Sequence, residues 1–141
     1  MQLLPRKRIL AIAAVIDIAL HARSGPVAAK ALATRHRLPP RHLEPVLQAL
    51  VRHGILKGTR GPRGGYELAR EQRRITADEI LRAAGTVEDI SEPIDRSKLL
   101  DQVVMPALSE AEQAFATALS RINIEELARS AEGARKSGSG R

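Results

Sequence analysis

The 141-residue chain has no cysteine and no tryptophan, and its only aromatic side chains are Tyr66 and Phe115. Without thiols it can form no disulfide, offers no thiolate nucleophile and cannot hold a zinc or iron–sulfur centre through sulfur. The same lack fits a reducing cytoplasm, where this reading places the protein. With so few rings the core must be aliphatic, and a stacking platform for single-stranded nucleic acid is missing. Long apolar runs are missing too. Residues 9–20 follow Arg6, Lys7 and Arg8 much as a secretory leader would, but Asp17 interrupts them and no small-x-small cleavage site follows. Twelve residues are also too few to cross a bilayer, so the run reads as a buried helix and no membrane partner is expected. No Ser/His/Asp set, Walker loop or dinucleotide fingerprint occurs, and His21, His36, His42 and His53 lack ligand spacing. Neither an enzyme nor a metal site is expected.

What is present is positive charge, unevenly distributed. The formal net charge is +7. Residues 1–75 carry 15 Lys and Arg against 4 Asp and Glu, a net of +11, whereas residues 76–141 carry 8 against 12, a net of −4. A basic first half facing a polyanion is the direct implication. The chain length suits one domain with an accessory element.

Apolar residues Ile9, Ile12, Ala13, Ile16, Ala19 and Leu20 recur at helical spacing, which predicts a first helix over 8–22 that Ser24-Gly25-Pro26 stops. A short Ala-rich helix is expected over 29–36 and a turn at Arg37-Leu38-Pro39-Pro40. A third helix should start near Pro40 or Arg41, bury Leu43, Val46, Leu47, Leu50 and Val51, and end at Gly54. Pro45 inside it predicts a bend or a later start. Runs 55–57 and 66–68 flank a segment with four glycines and Pro62, the pattern of a β-hairpin. Tyr66 and Leu68 alternate inward along its second strand. Thr76, with Asp78 and Glu79 in the first turn, should cap a helix ending at Gly85. From Lys98 to Ile122 the positions Val104, Leu108, Ala111, Phe115, Ala118 and Ile122 are spaced 4, 3, 4, 3, 4, a seam that faces a partner helix, with Pro106 bending the helix or starting it.

The expected architecture is therefore mainly α with a small β-hairpin wing: a winged helix-turn-helix DNA-binding domain at 1–85, a linker loop at 86–97, a long helix and short last element at 98–129, and a disordered tail at 130–141. In such a fold the third helix enters the major groove of double-stranded DNA, where Arg41, His42, Glu44 and Gln48 carry groups that can bond base edges. Arg60 and Arg63, on a backbone of glycine and Pro62, can enter the minor groove. Arg6, Lys7, Arg8, Arg35, Arg37, Arg52 and Lys57 are the expected phosphate contacts, which add affinity without sequence information. Charge alone leaves two other readings open: a module for structured RNA or the ribosome, and a protein adapter whose seam serves a foreign helix.

Three stretches resemble the Rrf-two family of bacterial transcriptional regulators, of the IscR, NsrR and CymR type: Leu43-Glu44, the wing Arg60-Gly-Pro-Arg-Gly-Gly-Tyr66-Glu-Leu-Ala-Arg70, and Ile75-Thr-Ala-Asp-Glu-Ile80. The resemblance spans residues 1–85 closely and the rest loosely. It implies a homodimer paired through the long C-terminal helix on a two-fold related operator, usually as a repressor. It also implies base-reading positions at Arg41, His42 and Glu44 and a minor-groove position at Arg60. Arg37 stands where a turn glycine is common, His42 where a tyrosine is common, and Pro45 follows Glu44, so the family's base preferences do not transfer. Several members hold a cysteine-ligated cluster in the loop matching residues 86–105. Here that loop has Glu88, Asp89, Glu92 and Asp95 and no cysteine, so no iron–sulfur cluster or other cofactor is expected. Any signal would come from an unidentified small molecule or protein effector.

Overall fold

The computed structural model describes residues 6–37, 40–85 and 97–139, leaving aside the side chains of residues 100 and 135–139. The Leu38-Pro39 turn and, except for Ser97, the expected linker at 86–97 with its four carboxylates lie outside the described residues.

Helix α1 (Arg6–Leu20) is the hub. Ala11, Ala14, Val15 and Ile18 repeat at the 3.6-residue period and are buried against α3, α4, α6 and the second hairpin strand. Beyond Pro26, Val27 exchanges both backbone hydrogen bonds with Tyr66, at 2.9 and 2.8 Å, so the hairpin is tied to the segment entering α2 (Ala29–His36). Helix α2 buries Leu32 and Ala33 and closes at Arg37, whose φ of 54° and ψ of 49° are left-handed. That is the conformation for which a glycine is normally chosen.

Helix α3 (Pro40–Arg52) buries Leu43, Val46, Leu47, Ala49 and Leu50 and stops at Gly54, with φ 72°. It runs through Pro45 rather than starting after it. Strands β1 (Leu56–Thr59) and β2 (Gly65–Leu68) pair antiparallel, with Leu56 opposite Leu68 and Lys57 opposite Glu67. Arg70 then fastens three elements together: it donates to the carbonyls of Gly54 and Arg74 and pairs with Glu79 at 2.6 Å. Helix α4 (Ala77–Ala84) begins where expected, but the Thr76 hydroxyl donates to the Asp78 carboxylate instead of accepting from a backbone N–H.

A π-helical turn at Leu100–Val104 leads directly into α5 (Met105–Leu119), with Pro106 in its first turn. Proline has no N–H and crowds the carbonyl four residues back. The wider turn before it removes that crowding, so Pro106 starts the regular helix instead of kinking it.

The chain then turns back. Ile122 accepts from the Ala77 N–H at 2.9 Å, Ile124 donates to the Ile75 carbonyl at 2.9 Å, and Asn123 bridges Thr76. Helix α6 (Ile124–Ser139) follows, capped by Asn123 Oδ1 accepting from the Glu126 N–H at 2.9 Å. Ile124 and Ala128 are buried in the same core as α1. The expected short last element and disordered tail are thus corrected: helix continues to Ser139 because a cap, acidic Glu125 and Glu126 in the first turn and the Glu125–Arg129 pair support it.

Candidate nucleic-acid interface

The apolar stripe of α3 faces inward, so its other residues are forced out. Arg41, His42, Glu44 and Pro45 are all exposed. The Pro45 ring has no N–H to give the Arg41 carbonyl. Gln48 lies one turn further on and is not independent: its Nε2 donates to the Tyr66 hydroxyl at 3.2 Å. This expected base reader is thus exposed but held by the wing rather than free. The same bond sets the wing beside α3, since Tyr66 packs its ring against the core from β2.

The wing carries Arg60 and Arg63 at its tip, both exposed and, among the described residues, without an ion-pair partner. Two glycines fix this placement by close approach. A side chain on Gly64 would collide with the Thr59 carbonyl, and a Cβ on Gly65 would lie 2.5 Å from the Val27 carbonyl. The tip therefore stays thin and its base stays pressed against the start of α2. Lys57 is paired across the hairpin with Glu67 at 3.6 Å, which shares its charge rather than leaving it for phosphate alone.

Two further expected phosphate contacts are corrected. The Arg35 guanidinium grips Asp17 with both arms, Nε to Oδ2 at 2.9 Å and Nη2 to Oδ1 at 2.7 Å. Asp17 is the only polar side chain among the buried residues described. His36 Nε2 lies 2.9 Å from its Oδ2, and His21 Nδ1 is 2.8 Å from its backbone carbonyl and 3.2 Å from Oδ1. Burial pushes the Asp17 carboxyl up. The hydrogen bonds from Arg35 and His36, then the Arg35 charge and His21, outweigh burial and hold the group below its ordinary 3.8; the same bond raises Arg35. The cluster bolts α1 to α2 and so orients the helix-turn-helix. The sequence held a clue in Asp17 and His21, four apart on one helix, but not in their long-range partners.

Arg8 also departs from its expected role. Its side chain is half-buried and lines a half-open cavity between α1, α4 and α5, with its Nε shut off and unbonded. Lys7 is half-buried and already engaged. Arg6, Arg37 and Arg52 are exposed as expected, Arg52 at the far end of α3, roughly 16 Å along the axis from Arg41. Along α5 the seam residues Leu108 and Phe115 are 58% and 39% exposed and Ala111 and Ala118 are exposed, while Val104, in the turn before the helix, is half-buried. Ile122 is corrected: it lies beyond the helix, in the turn bonded to Ala77, and is not on the seam. Among the described residues, no group of three or more His, Cys, Asp or Glu side chains is arranged to hold a metal, and no helix is long and apolar enough to cross a membrane.

Comparison with known proteins fits this geometry. The profile of the Rrf2 family, described as "Iron-dependent Transcriptional regulator", matches residues 4–130. An HTH-type transcriptional regulator of Synechocystis sp. is 36% identical over 119 residues, covering 81% of this chain and 79% of that protein. The HTH-type transcriptional regulator IscR of Xenorhabdus nematophila is 30% identical over 128 residues, covering 86% and 76%. Among solved structures, IscR of T. potens superposes with a TM-score of 0.73 at 30% identity, covering 94% of this chain and 90% of that one.

Proposed function

The chain belongs to the Rrf2 family of transcriptional regulators, and on that footing we propose that it binds a near-palindromic operator in double-stranded DNA as a homodimer and represses transcription from it. The family's members are DNA-binding regulators and not enzymes. The observation that carries the finer reading is the Gln48–Tyr66 hydrogen bond. It links the strand next to the two unpaired wing arginines with the exposed side of α3, which supports their acting together.

In this reading Arg41, His42 and Glu44 meet base edges in the major groove, where arginine suits guanine and a carboxylate suits the cytosine amino group. Arg60 and Arg63 enter the adjacent minor groove, and Arg6, Arg37 and Arg52 meet phosphates. Two copies joined through Leu108, Ala111, Phe115 and Ala118 of α5 would set these units on successive turns of the duplex. The seam supports this because large apolar side chains sit in solvent along one helix face. The family description includes iron, but this chain has no cysteine to hold a cluster. Its residues do not fit a thiolate-held centre, and no step is assigned to one.

Selection of bound sites from a random duplex library, followed by footprinting, tests the proposal. A protected near-palindrome, with Arg60→Ala weakening binding by about 1–3 kcal/mol, is expected. Binding that ignores sequence, or tighter binding to structured RNA in competition, would overturn it. Sedimentation should give a dimer that Phe115→Glu dissociates.

A further inference from the structure

Helices α1, α4 and α5 line a half-open cavity of about 270 Å³ that holds none of the side chains proposed to meet DNA. We propose that this cavity binds a small organic carboxylate with an apolar body, its anionic end held by Arg8.

Arg8 carries an unmet hydrogen-bonding demand. The Nε of Arg8 is fully shut from solvent and has no hydrogen-bond partner. Among the described residues its guanidinium also makes no ion pair. Buried donors are almost always satisfied, so an orphan on a permanently charged group calls for a missing acceptor. The site leaves space for that charge. A Cβ on Gly85 would stand 2.8 Å from Arg8 Nη2, so the glycine gives the guanidinium the position it occupies.

The other charges in the wall do not answer Arg8. Asp78 is occupied by the Thr76 hydroxyl and by Arg82, 3.5 Å away. Glu112, on α5, lines the cavity without bonding to Arg8. It is a tethered competitor for the same fork. The remaining wall is apolar, from Leu81 on α4 and Phe115 and Leu119 on α5. An anion with no body would leave those side chains uncovered, and a neutral apolar molecule would leave Arg8 unanswered. The planar fork of arginine matches a carboxylate by two parallel bonds. A volume of about 270 Å³ suits a small acid.

Position gives the site a consequence that rests on the DNA-binding reading. Two walls belong to the half that carries the wing and α3, and the third is α5, whose Phe115 both lines the cavity and stands on the seam. A ligand bridging them couples its own binding to DNA affinity, and the coupling is reciprocal.

The test uses the full-length protein without DNA. Thermal denaturation and titration calorimetry are run with 3-phenylpropionate, benzoate and hexanoate as probes. Acetate serves as the charge without the body, and benzamide as the ring without the charge. Saturable binding of at least one of the three acids, about tenfold or more tighter than acetate or benzamide, is expected. Arg8→Gln should abolish it, Arg8→Lys should keep a weakened form, and Glu112→Gln should tighten it several-fold. If Arg8→Gln does not fold, Gly85→Ala decides: its methyl would stand 2.8 Å from Nη2, so the guanidinium has to shift and binding should weaken. No saturable binding by any of the three acids, equal binding of benzamide, or indifference to these substitutions overturns the site. Operator affinity is then measured with and without the best acid. A several-fold change supports the coupling, and an unchanged affinity with the acid bound overturns it. Failure to bind any duplex counts against the DNA reading alone, because acid binding is read without DNA.

Discussion

Replacing Asp17 by Asn and Arg35 by Gln, singly and together, isolates the interaction that ties α1 to α2. The Asp17 side chain is 7% exposed and that of Arg35 is 39% exposed, so one end of the pair is dry and the other wet. Breaking a fully buried pair costs about 3–5 kcal/mol. An exposed pair contributes about 0–1 kcal/mol. With bidentate geometry and His36 also bound to the carboxylate, Asp17→Asn should cost about 2–3 kcal/mol, between these limits. For a chain of this size that lowers Tm by about 6–12 °C. The coupling energy from the double-mutant cycle should be about 1–2 kcal/mol. The assay is urea denaturation at neutral pH, all four proteins at one concentration because association adds to stability. The pH dependence has a definite sign. Since the folded Asp17 titrates below its unfolded value near 3.8, its contribution is fully present above that value and is lost as pH falls through the folded one. Wild type and Asp17→Asn should therefore converge in acid. Additive single effects at neutral pH, or a gap that persists well below pH 3.8, would refute the argument.

Arg37→Gly should stabilise the protein by about 0.5–1 kcal/mol, because relief of the left-handed strain exceeds the added freedom of the unfolded chain, while lowering DNA affinity if Arg37 meets a phosphate; denaturation and binding measured on the same variant check both. Gly65→Ala must push β2 away from Val27 and should lower Tm and operator affinity together, as melting and mobility-shift assays would reveal. Tyr66→Phe removes only the hydroxyl that holds Gln48, so stability should change by less than about 1 kcal/mol while discrimination at one base pair relaxes, which site selection with the variant would detect.

Local patterns were legible in the sequence, and the places where it misled are instructive. The apolar stripe of α3, the Gly54 stop and the glycine-rich hairpin are written in consecutive residues, so their positions follow from period and turn chemistry. Charge sign was legible as well, but not direction. Arg8, Arg35 and Lys57 read alike as phosphate contacts, yet one lines a cavity, one is held by a carboxylate 18 residues away and one faces Glu67 across the hairpin. These fates are decided by tertiary neighbours. Ile122 continued the heptad arithmetic, but hydrogen bonding to Ala77 ended the helix before it. Helix α6 was hidden by its Gly and Ser content, although Asn123 three residues before Glu126 is a capping signal in plain view.

The chain has a single phenol and no indole, and that phenol sits where β2 meets α3 with its hydroxyl bonded to Gln48. Excited in the near ultraviolet, the whole protein thus emits from one spot, the contact between the two parts that would straddle a duplex. Loosening or tightening there should change intensity and lifetime without any attached dye, which makes the unmodified protein its own optical gauge of wing docking.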